Sequence, residues 1–321
     1  MSTALPAPGV APLLTQWSWQ PVAIIALAAL TWWYVRTVRR FVTAGGSWPM
    51  RRNLVFGLGV VAALWTACGF LQAYVDSMYW AWTTQVLALW LFVPGLFLAA
   101  QPVQLALAVG GADGATAHFL RSRPARILGN PLVGPALVPL LSAALFFGPL
   151  PSWAITTPAL GWVLHPLLVV LGGLMLLPLV GPDDGPSALA VALTLAIGSF
   201  ELVLDAIPGI VLRLHRGLVS SYFDHRVIHS WSNSHLHDQQ TAGTILWVVA
   251  EVIDLPFLLL VFRRWLRADE RDAAAIDAVL DAEHAARVGL EGPPDSEDTG
   301  VADAPWWLSD PAMQRRMRGQ G

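Results

Sequence analysis

Residues 53–73 read NLVFGLGVVAALWTACGFLQA, twenty-one positions without one Asp, Glu, Lys or Arg. At ~1.5 Å of helical rise per residue, such a run matches a hydrocarbon core of ~30 Å. Lipid offers the backbone no hydrogen-bonding partner, so a spanning segment of this kind must be helical. Similar runs recur on both sides of it, at 19–38, 82–108, 131–150, 159–180, 187–212 and 241–263. The composition agrees: 55% of residues are hydrophobic and 13% charged, against ~25% charged in soluble domains. The 16 Trp suit the membrane–water interface. The expected fold is an all-α, polytopic membrane helical bundle of about seven transmembrane helices in a lipid bilayer.

Arginine placement sets the orientation, because cytoplasmic loops are enriched in basic residues. Arg36, Arg39, Arg40, Arg51, Arg52, Arg121, Arg123, Arg126, Arg263, Arg264, Arg267 and Arg271 fall on one side, twelve in all, against Arg213, Arg216 and Arg226 on the other. The N-terminus is therefore expected outside and the C-terminus inside. Residues 1–18 form an extracytoplasmic segment and 19–264 a seven-span domain with a His-containing outer loop at 213–240. Residues 265–321 form a cytosolic tail, a short helix and then disorder. Residues 1–20 carry no Lys or Arg, so no secretory signal peptide is expected. The lone Cys68, inside an apolar run, reads as a small core residue. No nucleic-acid partner is expected.

Three features carry candidate chemistry. Glu201 and Asp205 lie one turn apart on the sixth span, as do Glu251 and Asp254 on the seventh. A charge at mid-depth costs roughly 2.5–3.5 kcal/mol, so such residues mark an ion, proton or metal pathway, or are protonated glue between helices. Five of eight His crowd the outer loop, His215, His225, His229, His235 and His237, with His165 toward the same face on span five. Imidazole suits copper and zinc, and Met78 in another outer loop adds a soft thioether for reduced copper. A polar loop also contains His without binding metal, and no HExxH motif is present. Finally, Asp238-Gln239-Gln240 opens span seven, where Asp238 is placed to cap its own helix.

These last residues resemble a known family. HDQQTAGTILW (237–247), followed by Arg264-Trp265-Leu266-Arg267, is similar to the last span of CtaG-type cytochrome c oxidase assembly factors, which reads close to DQQxAGxxMW. Asp238, Gln239, Gln240, Ala242, Gly243 and Trp247 match. HPLLVVLGGLMLLPLVG (165–181) resembles the family's HxxFxxxGxLxWWPxxG span, keeping His165, Gly172, Pro178 and Gly181, and Pro305-Trp306-Trp307 resembles the PWWxxDP ending of actinobacterial-type members. One departure stands out. The family's third span opens with HMxQH, where this chain has Trp82, Thr83, Thr84, Gln85 and Val86; only Gln85 survives. If that His pair holds copper in the family, this chain has lost the site or moved it to the outer loop.

The resemblance implies a non-enzymatic, multi-pass protein of the bacterial cytoplasmic (inner) membrane. It would assist delivery of copper, bound transiently, to a haem–copper oxidase subunit as partner. A copper or proton-coupled transporter and a purely structural scaffold are the alternatives. Against a transporter, no inverted repeat is visible. An intramembrane hydrolase lacks a GxSxG motif.

Overall fold

A computed structural model describes residues 5–111, 113–123, 125, 133–176 and 204–291, and every regular element among them is helical. Most of the expected sixth span with Glu201, and also Arg126, Pro178, Gly181 and the tail from 292 with Trp306 and Trp307, lie outside the described residues. A short helix α1 (Val10–Thr15) precedes α2 (Pro21–Thr43), which opens with proline at its first position. There the missing N–H would have no intrahelical acceptor and the fixed φ suits the helix. The turn after α2 uses Gly45 at φ 89°, a left-handed conformation that glycine adopts without penalty.

The next helix, α3 (Met50–Tyr74), breaks briefly at Gly69. It is followed by α4 (Tyr79–Ala99), which contains a π-helical turn at Ala88–Phe92 just ahead of Pro94. The expected third span of 82–108 is thus three residues late at its start and too long. Gln101 turns left-handed at φ 57° and Pro102 cannot donate, so the chain starts a separate helix, α5 (Pro102–Gly110). After α6 (Ala115–Leu120), α7 (Val133–Ser142) closes with a second π turn at Ala143–Phe147, and α8 (Leu150–Thr156) leaves it at a 55° bend. Then come α9 (Pro158–Leu176), α10 (204–214) and α11 (His235–Glu291).

Four of these helices, α2, α3, α4 and α9, are long and apolar enough to cross a membrane, and the bent α7–α8 pair would make a fifth span. α4 lies at the centre, its buried Trp82, Val86, Leu89, Trp90 and Val93 packing with residues of α3, α7 and α9. α9 runs against the π turn and second half of α4 and also touches α2. Met1–Arg264 forms one compact unit and Trp265–Gly321 a second. In the second, Ile276, Val279 and Leu280 stand exposed on a helical stretch.

Candidate functional site

Ser234 precedes α11 and its hydroxyl accepts the His237 N–H at 3.2 Å, so the helix is capped from outside. Asp238 is thereby released from capping its own helix, contrary to the sequence expectation. Its carboxylate crosses to a segment 159 residues away, where Oδ2 accepts the Tyr79 N–H at 2.8 Å. Oδ1 accepts the Trp80 N–H at 3.2 Å. These are orphan donors at the start of α4, so Asp238 supplies the cap that Met78, at the N-cap position, has no side chain to provide.

Arg226 completes the arrangement. Its Nη1 lies 3.3 Å from Asp238 Oδ2, with both side chains at 0% exposure. Its Nε donates to the Ser77 carbonyl and its Nη2 to the Asn233 carbonyl at 3.3 Å. Burial is the largest influence on Asp238, which precedes the apolar stretch, and holds its carboxyl above the usual range. The Tyr79 amide, Arg226 and the Trp80 amide pull the other way. Around the pair, Tyr222 O–H donates to the Val75 carbonyl. Its ring lies 4.8 Å from that of Tyr79. Burial, reinforced by the Asp238 charge, pushes the Tyr222 phenol well above its usual value. The Val227 N–H donates to the Asp76 carbonyl at 2.7 Å.

Gln239, with 0% exposure, fastens the other end of the same loop. Its Oε1 accepts the Val219 N–H at 3.0 Å and its Nε2 donates to the carbonyls of Gly217 at 2.9 Å and Leu212 at 3.4 Å. The motif's first glutamine is therefore a clasp for backbone that has no regular secondary structure to satisfy it. Gln239→Ala should leave α11 intact and cost about 1–3 kcal/mol through unsatisfied buried groups. Faster hydrogen exchange confined to 212–220 would be the signature. Unchanged exchange there would refute the clasp.

Gly243 and Gly209 complete the motif's geometry. A Cβ on Gly243 would stand 2.5 Å from Arg213 N, and one on Gly209 2.6 Å from Trp247 N. α10 and α11 meet at backbone distance through these two residues. On the first face of α4, Trp82 Nε1 donates to the Leu145 carbonyl at 3.0 Å and Tyr79 O–H to the Phe146 carbonyl, both on the π turn that ends α7. Gln85 Nε2 donates to Thr66 O at 3.0 Å and Gln72 Oε1 at 2.8 Å. The positions where the family pattern carries HMxQH here join α4 to α3 and α7.

The histidines are spread out. His215 is exposed, its Nδ1 3.0 Å from both backbone N and O of Gly217. His225 is exposed at the end of a 3-10 turn, Ser221–His225, and His237 is exposed on α11. His229 Nε2 lies 3.0 Å from Ser77 Oγ and its ring stacks on Trp231 at 4.8 Å. His235 stacks on Phe223 at 5.3 Å. Among the described residues no three His, Cys, Asp or Glu converge as a metal site. Met78 is buried with Phe70, Leu71, Tyr74 and Ala81 in an apolar cluster. His165 is buried on the stripe Leu164, His165, Leu168 and Gly172 of α9, and its Nδ1 has no hydrogen-bond partner.

Of the acids, Asp205 is partly buried on α10 and Glu251 Oε1 accepts the Trp247 indole N–H at 3.3 Å. Asp254 is described only as part of α11. Sequence reading missed Arg226 and Tyr222 as structural centres. The available signal was an arginine on the side where basic residues are scarce.

The fold and this polar clamp define a helical membrane protein whose Asp238-Gln239 motif is a packing device. The matching family is the cytochrome c oxidase caa3 assembly factors (Caa3_CtaG), over residues 32–268. The chain belongs to that family, and its departure at the third span makes it a diverged member. It is similar to uncharacterized proteins of Mycobacterium bovis and Mycobacterium tuberculosis. Each is 26% identical over 292 residues, covering 87% of this chain and 43% of the relative. An uncharacterized protein of Mycobacterium leprae is 24% identical over 87% of this chain and 44% of its own length. The chain thus spans less than half the length of these curated relatives. No solved structure matches it.

Proposed function

We propose that this chain is a non-enzymatic assembly factor for a haem–copper oxidase. It would act from the outer face of a bacterial cytoplasmic membrane as a seven-span, N-out protein. The observation that carries this is the family match across 32–268, which takes in α3 to α10 and the clamp that fixes the outer loop. The copper step of the proposal uses the exposed imidazoles of His215, His225 and His237. His215 and His225 stand on a loop whose backbone is pinned by Gln239, Arg226 and Tyr222, and His237 stands on the first turn of α11 beside it. Imidazole nitrogens take copper readily, and a ligand set not closed into a cage releases it to a tighter site in the client. Cu(I) is the cargo in this scheme, and the loop presents it without retaining it.

Removing the chromosomal copy should lower copper per oxidase complex at unchanged amounts of oxidase polypeptide. Wild-type sequence should restore it. The variant with Ala at His215, His225, His229, His235 and His237 should restore substantially less. A deletion strain with fully metallated, active oxidase would refute the assembly reading. Full restoration by the five-His variant would refute the copper step alone.

A further inference from the structure

α2 and α3 pack against each other and leave a furrow lined by residues of both helices. Two neighbouring hollows make it up, of about 590 and 420 Å³, and they share Thr31, Val35, Arg39 and Val60 in their linings. The furrow runs from Ile24 and Leu64 at one end to Arg39 and Asn53 at the other. Ile24 to Arg39 is about 22 Å along a helix, more than the ~15 Å of hydrocarbon in one leaflet. Its lining is mostly apolar, and the polar groups away from Arg39 are satisfied: the Thr31 hydroxyl donates to the Leu27 carbonyl at 2.7 Å and the Tyr34 hydroxyl to Asn53 Oδ1 at 3.0 Å. Gly57 leaves the second hollow open, since a Cβ there would meet no atom within 4 Å.

The end at Arg39 is basic. Arg36 lies over the Trp32 ring at 5.2 Å and Arg52 over the Trp48 ring at 4.4 Å. Arg39 borders both hollows, is exposed, and forms no ion pair among the described residues. No acidic side chain lies on α2 or α3. A largely apolar trough long enough for an acyl chain, ending at a guanidinium with no ion pair among the described residues, matches a molecule with long hydrocarbon chains and an anionic head. Guanidinium binds phosphate oxygens with two parallel donors, and basic pockets between transmembrane helices hold anionic lipid heads.

We infer that the α2–α3 furrow is a seat for an anionic phospholipid, with its acyl chains along Leu27, Val35, Val60 and Gly57 and its phosphate on Arg39. A free phosphate ion would not use the trough, and a zwitterionic lipid would leave the cluster of arginines uncompensated. The seat is independent of copper handling and of the oxidase.

The test uses the full-length protein, purified in detergent and stripped of lipid. Phosphatidylglycerol and phosphatidylcholine of identical acyl chains are added, and retained lipid is counted by intact-protein mass spectrometry alongside thermal unfolding. Wild type should retain phosphatidylglycerol preferentially and unfold at a higher temperature with it. Arg39→Gln should bind it about tenfold more weakly, the effect of losing one charge-assisted contact. Gly57→Leu should fill the trough and reduce retention while leaving the lipid-free unfolding temperature unchanged. Equal retention of the two lipids would overturn the proposal. So would an Arg39→Gln variant that binds like wild type. Loss equally large in Arg51→Gln would assign binding to a diffuse basic belt and overturn the seat. A lipid-free dimer broken by Gly57→Leu would give the furrow to a second copy instead.

Discussion

Asp238→Ala is expected to be the most damaging single polar substitution around the 213–240 segment, costing about 3–5 kcal/mol. Two losses combine. The Tyr79 and Trp80 amides at the head of α4 lose their acceptors, and Arg226 keeps a full charge at 0% exposure with no carboxylate beside it. Breaking a buried pair from one side costs far more than the pair contributes, because desolvation of the surviving charge is then uncompensated. Asp238→Asn separates the two. Its amide oxygen still accepts one backbone N–H, but the charge is gone, so it should be destabilised less than alanine and clearly more than wild type. The decisive comparison is Arg226→Met with Asp238→Asn. That double variant should be more stable than Asp238→Asn alone, since it removes the stranded guanidinium. Thermal unfolding in detergent reads all three. Additive destabilisation in the double variant would mean the two side chains are not coupled, and the clamp would have to be abandoned.

The spanning helices were legible because their signal is local. A charge-free run such as 53–73 needs only its own length to declare itself, and α3 covers it at Met50–Tyr74. The end of the third span was not legible in that way. Residues 102–107 stay largely apolar, so a reading by hydropathy runs through the stop, which comes from the left-handed turn at Gln101 and from Pro102, a mark that hydropathy does not weigh. Asp238 failed for a related reason. A local capping rule sees an acid at a helix start and assigns it to that helix. Ser234 had already taken that role, and the true acceptor geometry depends on a helix 159 residues earlier in the chain.

The candidate site shows the same division. The motif residues Asp238, Gln239 and Gly243 were found, while what they do was visible only in three dimensions. Each solves a backbone problem: Asp238 caps α4, Gln239 satisfies the 212–219 turn, and Gly243 lets α11 approach α10. That gives the first of the two adjacent glutamines a backbone role in place of a ligand role. It also bears on the third span. With Trp82 and Tyr79 donating to carbonyls of the Ala143–Phe147 π turn, α4 and α7 are joined by side chains at the level where the family pattern places histidines. Met78, read from sequence as a soft ligand in a loop, is core. The imidazoles at His215, His225 and His237 are left as the exposed donors of the 213–240 segment.

Gly172→Ala should separate the two central helices. A methyl group at Gly172 would stand 1.7 Å from the Trp90 carbonyl oxygen, 2.7 Å from its carbon and 2.9 Å from Pro94 Cγ. Two of those three atoms are backbone, so no rotamer change relieves the clash. The cause lies in α4 itself. Pro94 has no N–H to return to the Trp90 carbonyl four residues earlier, and the π turn at Ala88–Phe92 widens the helix at that point. The oxygen faces α9, where only a residue without a Cβ leaves room. Overpacking a well-filled interface costs about 1–3 kcal/mol, and backbone obstruction belongs at the upper end. Gly173→Ala is the matched control, since a Cβ there meets nothing within 4 Å and the propensity gain is the same. Gly172→Ala should therefore unfold at lower temperature than wild type, while Gly173→Ala unfolds at the same temperature or higher. Trp90→Phe, which keeps the backbone carbonyl, should not rescue Gly172→Ala. If it does, the obstruction is the indole ring and not the backbone. Equal stability of the two alanine variants would show that α4 and α9 do not meet at Gly172, and with that the central packing of the bundle would be wrong.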